Sequence, residues 1–123
     1  MQPKVFISYS WSTPGHQSLV LQCAEQLVAD GIDVVLDIYD LKEGHDKFVF
    51  MERMITDPSV TNVLVICDKA YSEKADARKA GVGTESQIIS REVYEKVEQS
   101  KFIPISFEFS DDGNPFLPTF LKS

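Results

Sequence analysis

Glu85 is the residue whose type and position best fit a chemical role. It follows a long polar segment, residues 68–83, and segments of that length in compact domains commonly carry function. The apolar run before this segment predicts a strand, and ligands of open α/β sheets bind outside the carboxyl ends of the strands. Carboxylates held in clefts are frequent catalytic groups. The helix dipole also favours an acidic residue in any first helical turn, so position alone favours a structural role for Glu85.

Aromatic side chains add to the polar groups expected at this edge of the sheet. The loops over residues 9–17 and 39–46 should lie beside the 68–83 segment, because each follows a predicted strand. Tyr9 and Trp11 could stack on a base or a nicotinamide ring, or they could simply anchor their loop. The sequence leaves both interpretations open.

The basic residues of these loops carry weaker signals. His16 and His45 lack the spacing of metal ligands, so we interpret them as solvated loop residues and predict no metal site. Isolated surface cations are more often plain surface than phosphate ligands. The cations in question are Lys42, Lys47, Arg78 and Lys79. No glycine-rich phosphate loop and no serine protease-like order of residues is present.

Strands and helices alternate along the predicted fold. Apolar runs rich in β-forming residues predict strands at residues 4–8, 32–38, 62–67 and 102–107. Helical spacing of apolar residues predicts helices at residues 19–28, 48–55 and 84–97, the first ended by Gly31. This order predicts a doubly wound, mainly parallel α/β sheet of four to five strands with helices on both faces.

Composition restricts the class of protein further. The chain of 123 residues fits one domain, and its net charge of −7 argues against nucleic acid polymers and anionic membrane surfaces as partners. Cys23 and Cys67 lie in apolar segments and are expected to be small buried side chains in a reducing compartment. Neither a signal peptide nor an apolar run long enough to span a bilayer is seen, so we expect a cytoplasmic protein.

Four segments together resemble the domains of the Toll/interleukin-receptor (TIR) and SEFIR kind. These are VFISYS at residues 5–10, VVLD with DLKEG over 34–44, VLVIC with Ala-Tyr over 63–71, and FIPI at 102–105. They resemble the first strand, the second strand with its BB loop, the third strand with its exit, and the fourth strand of those domains. The order is right over nearly the whole chain, so the resemblance implies a flavodoxin-like TIR/SEFIR architecture over residues 1–123.

The segment from residue 68 to 89 is similar to bacterial SEFIR-like TIR domains. Those domains are often N-terminal effectors fused to STING or SAVED sensors of cyclic oligonucleotides in anti-phage defence. The resemblance therefore implies that residues 1–123 are the N-terminal part of a longer protein with such a sensor.

The resemblance also implies a reaction. Catalytic TIR domains cleave NAD+, and their essential glutamate lies at the start of the helix after the third strand, where Glu85 stands. NAD+ is then a substrate, and no cofactor is implied. Many of these enzymes have a tryptophan four residues before the glutamate; here that position is Gly81, and Trp11 is a candidate substitute. The contacts predicted for NAD+ are Ser8, Ser10, Trp11, Asp37 and Lys42.

Assembly is the last implication of the resemblance. Residues 40–46 resemble the BB loop, which packs against neighbouring protomers in this family, so we expect a homo-oligomer formed through this loop and activated by oligomerisation. Eukaryotic SEFIR domains and many TIR domains are noncatalytic adaptors that bind their own kind, which is the alternative. A binder of a nucleotide or a modified sugar without turnover is a third, weaker interpretation.

Overall fold

Four parallel strands form the central sheet of the computed structural model, which describes residues 3–9, 13–36, 47–77, 89, 94–106 and 111–115. The strands are β1 (Lys4–Tyr9), β2 (Asp33–Val35), β3 (Asn62–Cys67) and β4 (Phe102–Ser106). Their order across the sheet is β2-β1-β3-β4. Every neighbouring pair is parallel, which confirms the predicted doubly wound sheet.

The central strands are buried on both faces, as expected where helices cover a parallel sheet. In β1 every residue from Val5 to Tyr9 is buried. In β3 only Asn62 and Leu64 are half-buried, and the other four residues are buried. The sheet ladder of β2 ends at Val35, so this strand is shorter than the predicted run 32–38. Leu36 nevertheless has no exposed surface, which accounts for the apolar pattern beyond the ladder.

Helix α1 (Pro14–Ala29) has a defined start and stop. The Thr13 hydroxyl accepts the N–H of His16 at 3.0 Å, and Pro14 fits the first helical position, where its missing N–H costs nothing. At the other end, Ile32 N–H donates to Leu27 O at 3.0 Å across Gly31, whose φ is +89°. This confirms Gly31 as the predicted stop, because glycine adopts that left-handed conformation without a steric penalty.

Within the described residues, α1 is followed by two more complete helices, one of which the sequence pattern missed. Helix α2 (Lys47–Thr56) matches the prediction for residues 48–55. Helix α3 (Lys69–Ala77) occupies residues predicted to be irregular, so that prediction is wrong here. Asp68 caps the helix, since its Oδ1 accepts the N–H of Tyr71 at 2.8 Å. The predicted helix 84–97 is also wrong at Ile89, which has no helical assignment.

The two faces of the sheet bury two separate clusters. One face packs against α1, and the other packs against α2 and α3. The α1 cluster contains Ile7, Tyr9, Val20, Ala24, Val34, Leu36 and Ile66. The opposite cluster contains Phe6, Val35, Met51, Ile55, Val60, Val63, Val65, Cys67, Tyr71, Ile89, Tyr94 and Phe102. Alternate residues of β1 thus pack into opposite clusters.

No helix in the described part of the chain is long and apolar enough to cross a membrane.

Lys101, the residue directly before β4, contacts the end of α2. Lys101 Nζ donates to the carbonyl oxygens of Ile55, at 2.6 Å, and Asp57, at 3.0 Å. Partial burial lowers the pKa of this ammonium group, although the Asp57 carboxylate opposes the change. The cation satisfies carbonyls that a helix end leaves without intrahelical partners.

Lys101→Met is expected to lower the free energy of unfolding by about 1–2 kcal/mol, because it removes two charge-assisted hydrogen bonds. Lys96→Met is the matched control, since Lys96 Nζ lies 3.3 Å from Glu52 in a partly exposed ion pair. That control should change stability by less than about 0.5 kcal/mol. Urea unfolding of both variants measures the difference, and an equal loss in both would contradict the capping role.

Candidate functional site

The carboxyl ends of β1 and β3 form the switch point of this sheet. From β1 the chain moves to β2 on one side, and from β2 it returns across β1 to β3 on the other. Loops leaving β1 and β3 therefore diverge, which opens a crevice where ligands of such folds bind. Tyr9 pairs with Ile66 at the end of this ladder, so the crevice begins directly beyond these two residues.

A chain of buried hydrogen bonds lies just below the crevice. Ser8 Oγ and the Tyr71 hydroxyl are 2.8 Å apart, and the Tyr71 oxygen also accepts the N–H of Ile89 at 3.1 Å. Ser8 and Tyr71 have no exposed surface, and Ile89 is 1% exposed. Three segments far apart in sequence are thus joined at one point: the end of β1, the first turn of α3, and the backbone at residue 89.

Asp68 organises the exit from β3. Its Oδ1 accepts the N–H of Tyr71, and its backbone carbonyl accepts the Ser72 hydroxyl at 3.0 Å. Both bonds fix the first turn of α3 directly after the strand. The direction of the Tyr71 side chain toward Ser8 is therefore set by a helix cap as well as by packing.

His16 approaches Asp68 from the opposite face of the sheet. Its Nε2 lies 3.8 Å from Asp68 Oδ2, and the two side chains are only 11% and 12% exposed. The prediction of a solvated loop histidine is therefore wrong. Because α1 begins at Pro14 after the Thr13 cap, His16 lies in its first turn and faces Asp68 at the end of β3. The two residues are 52 positions apart in the sequence (68 − 16), so the local spacing of residues did not indicate this contact.

A small cavity opens at the same edge on the α1 side. Its volume is about 220 Å³, below the range of pockets for drug-sized ligands and enough for a single aromatic ring. Apolar walls are combined with amide and hydroxyl groups, which suits a flat polar ring. The lining residues are Tyr9, Pro14, Gln17, Ser18, Leu21 and Leu36.

The predicted site residues divide between described and undescribed parts of the chain. Ser8 lies at the carboxyl end of β1 as expected, and its hydroxyl is turned inward to Tyr71. Its contact with NAD+ stays a prediction. Ser10, Trp11, Asp37, Lys42 and Glu85 lie outside the described residues, as do residues 37–46 with the BB-like loop. The sequence interpretation did not indicate Tyr71, whose hydroxyl joins Ser8 to the backbone at residue 89.

Metal binding finds no support in the described part of the chain, where no group of three or more His, Cys, Asp or Glu side chains could hold an ion. Cys67 is near the crevice but 1% exposed, and Cys23 is half-buried. Burial, and to a smaller extent the Asp68 carboxylate, raises the pKa of the Cys67 thiol to about 12. Cys67 thus matches the predicted buried side chain.

Alkylation of Cys67 in the native protein is expected to be at least about 30-fold slower than in the unfolded chain at pH 8. The reason is that only the thiolate reacts, and the raised pKa lowers the thiolate fraction by more than it raises the nucleophilicity of each thiolate. Iodoacetamide labelling followed by peptide mass spectrometry measures both cysteines, with the urea-unfolded chain as the reference. Equal rates for Cys67 in the two states would contradict the burial of this thiol.

The family model of the SEFIR domain matches residues 3–123. The chain belongs to the SEFIR family. A solved structure described as the crystal structure of a prokaryotic SEFIR domain is 49% identical, with a TM-score of 0.86. That similarity covers 99% of this SEFIR domain and 83% of the other chain. No curated protein matches this SEFIR domain. The family and its α/β flavodoxin-like fold confirm the TIR/SEFIR resemblance seen in the sequence.

Proposed function

We propose that this SEFIR domain is an NAD+ glycohydrolase whose site lies at the carboxyl edge between β1 and β3. The observation that carries the proposal is the bond from Ile89 N–H to the Tyr71 hydroxyl, which anchors residue 89 beside Ser8. Glu85 is four residues from this anchor, and four residues of extended chain span at most about 14 Å. This limit is compatible with a catalytic carboxylate at the switch-point crevice, where we propose that Glu85 acts.

The cavity supports the same proposal. A nicotinamide ring combines a flat apolar surface with one amide, and the cavity offers the Tyr9 ring with the polar side chains of Gln17 and Ser18. Its place beyond β1 and β2 puts it at the carboxyl edge of the sheet, where the proposed site lies. Ser10, Trp11, Asp37 and Lys42 are proposed to complete the NAD+ contacts, with Trp11 in place of the tryptophan that Gly81 replaces.

Cleavage of NAD+ suits a site with a single carboxylate. The bond broken joins the nicotinamide nitrogen to C1 of the ribose, and the ring leaves neutral because it takes the bonding electron pair. No general acid is needed for this leaving group, unlike the two-carboxylate chemistry of ordinary glycosidases. Positive charge develops on the ribose, and a nearby glutamate stabilises that charge more strongly in the transition state than in the substrate.

The products follow from what traps the ribose cation. Water adds its oxygen to C1 and loses one proton, which gives linear ADP-ribose, nicotinamide and H+. An intramolecular group in place of water gives a cyclic product. In both cases one nicotinamide is released for each NAD+ consumed, so nicotinamide is the quantity to measure.

Assembly and cellular context complete the proposal. Residues 40–46 would pack against neighbouring protomers, and a fused sensor of cyclic oligonucleotides would drive that oligomerisation in the cytoplasm during anti-phage defence. Val49, early in α2 and three residues beyond this loop, is 48% exposed and supplies apolar surface near the proposed contact. The same exposed residue favours the second candidate, a noncatalytic adaptor that binds its own kind.

Nicotinamide release by the clustered domain tests the proposal against the adaptor alternative. Domains displayed on a multivalent scaffold are incubated with NAD+, and nicotinamide and ADP-ribose are quantified by chromatography. Nicotinamide and ADP-ribose formed in equal amounts, and in larger amounts than the scaffold alone gives, would support the glycohydrolase. Linear and cyclic ADP-ribose are counted together. Clusters that assemble and release no nicotinamide would reject it and favour the adaptor.

A further inference from the structure

We propose that Gln17 and Ser18 make the cavity on the α1 side selective for a ring that carries a carboxamide over one that carries a carboxylate. The inference rests on the proposed function and names the class of substrate that the site accepts, a nicotinamide nucleotide in preference to its nicotinic acid counterpart. Both residues lie near the start of α1, and both line the cavity together with Tyr9, Leu21 and Leu36.

The walls of the cavity carry no full charge. Its lining residues include no Asp, Glu, Lys, Arg or His side chain. A carboxylate that enters such a site loses hydration without meeting a cation, and burial of an unpaired charge costs far more than burial of a hydrogen-bonded amide. The surroundings therefore favour the neutral carboxamide.

The start of α1 offers little to replace the missing cation. A helix N-terminus attracts anions through free backbone N–H groups. Here the N–H of His16 donates to the Thr13 hydroxyl and the N–H of Gln17 donates to the Thr13 carbonyl oxygen, both at 3.0 Å. Pro14, the first residue of the helix, has no N–H. A carboxylate would have to compete with the bonds that hold the cap.

The polar side chains match a carboxamide group. Gln17 has a carbonyl acceptor and an NH₂ donor, so it can both accept from and donate to the amide of a bound ring, and the Ser18 hydroxyl can do either. A carboxylate has no N–H to donate, so it leaves the Gln17 oxygen without a partner. Tyr9 and Leu36 are 3% and 0% exposed and provide a fixed wall for the ring itself.

Binding of the two free rings tests this selectivity without turnover. The isotope-labelled domain is titrated with nicotinamide and separately with nicotinate at neutral pH, and NMR follows the side-chain NH₂ of Gln17 and the backbone amides of Gln17 and Ser18. Nicotinamide should bind at least about tenfold more tightly than nicotinate. Equal affinities, tighter binding of nicotinate, or no saturable shift with nicotinamide would overturn the proposal.

Gln17→Leu removes the hydrogen-bonding end of the side chain, and Gln22→Leu is the matched control. Both glutamines are exposed on α1, and Gln22 does not line the cavity. Gln17→Leu should weaken nicotinamide binding at least about fivefold through the loss of hydrogen bonds to the carboxamide. Gln22→Leu should stay within about twofold of the wild type. Unchanged binding by Gln17→Leu, or an equal loss in both variants, would overturn the proposal.

Turnover of two dinucleotides separates this inference from the proposed activity. In clustered protein, the ratio of kcat/KM for NAD+ to that for its nicotinic acid analogue should be at least about fivefold smaller in Gln17→Leu than in Gln22→Leu. The intrinsic reactivities of the two dinucleotides cancel in this comparison. Equal ratios would overturn the selectivity and leave the glycohydrolase standing. Selective nicotinamide binding by a domain whose clusters release no nicotinamide would support the selectivity and reject only the glycohydrolase.

Discussion

Glu85→Gln is expected to reduce nicotinamide release by the clustered domain at least about 100-fold, with the fold retained. The substitution keeps the size of the side chain and removes the negative charge that stabilises the ribose cation. Loss of one preorganised electrostatic group typically costs 10²- to 10³-fold in kcat. Initial rates at saturating NAD+, with circular dichroism to verify folding, measure the effect.

Glu98→Gln is the matched control for this loss of charge. Glu98 is exposed and directly precedes the 3₁₀ turn (Gln99–Lys101) that leads into β4, so it lies at the amino edge of the sheet, opposite the crevice. Its substitution should leave the rate within about twofold of the wild type. Retention of more than a tenth of the activity by Glu85→Gln would reject Glu85 as the catalytic carboxylate.

Clustering is expected to raise nicotinamide release per protomer at least about 100-fold over the dilute, unlinked domain. Flexible linkers on a scaffold raise the effective concentration of neighbouring domains to the millimolar range, which drives contacts that micromolar protein does not form. The contacts proposed for residues 40–46 would then complete the site. Rates are compared at equal total domain concentration.

A scaffold that carries a single domain controls for the linker and the carrier. It should behave as the unlinked domain does at every concentration. Equal activity per protomer for the single-domain and multivalent scaffolds, at both low and high concentration, would contradict activation by assembly. It would leave the assignment of Glu85 intact, since the two predictions concern different features of the protein.

The sheet could be predicted because its signals are local. Buried parallel strands are nearly continuous apolar runs, and β1 and β3 have that pattern in five or six adjacent residues. Gly31 marked the end of α1 because a positive φ demands glycine. Such features need no knowledge of distant residues.

Helix α3 was missed because the buried side chains described for it are not aliphatic. Among residues 69–73, whose side chains the structure describes, Tyr71 and Ser72 are buried next to the capping Asp68. The pattern of apolar residues at helical spacing is thus weak, although Asp68 followed by good helix formers was a usable signal. Packing against β3 decides the structure of this segment more than its intrinsic pattern does.

The candidate site shows the same limit more strongly. Sequence placed Ser8 near the carboxyl end of β1, as the structure has it, and the position of Glu85 stays a prediction. Sequence could not join Ser8 to Tyr71 and Ile89. Those contacts span 63 and 18 residues, and nothing in the local sequence encodes them. The inward position of His16 against Asp68 is likewise a property of the folded chain.

The location of bound NAD+ shows whether the site lies at the carboxyl edge between β1 and β3. Hydrogen exchange of the clustered domain is followed by mass spectrometry with and without an NAD+ analogue in which a methylene replaces the ribose ring oxygen, so that cleavage is blocked. We expect slower exchange in peptides that contain the carboxyl ends of β1 and β3 and the backbone near Ile89. No change there, or slower exchange only at the amino edge near Thr61 and Glu98, would contradict it.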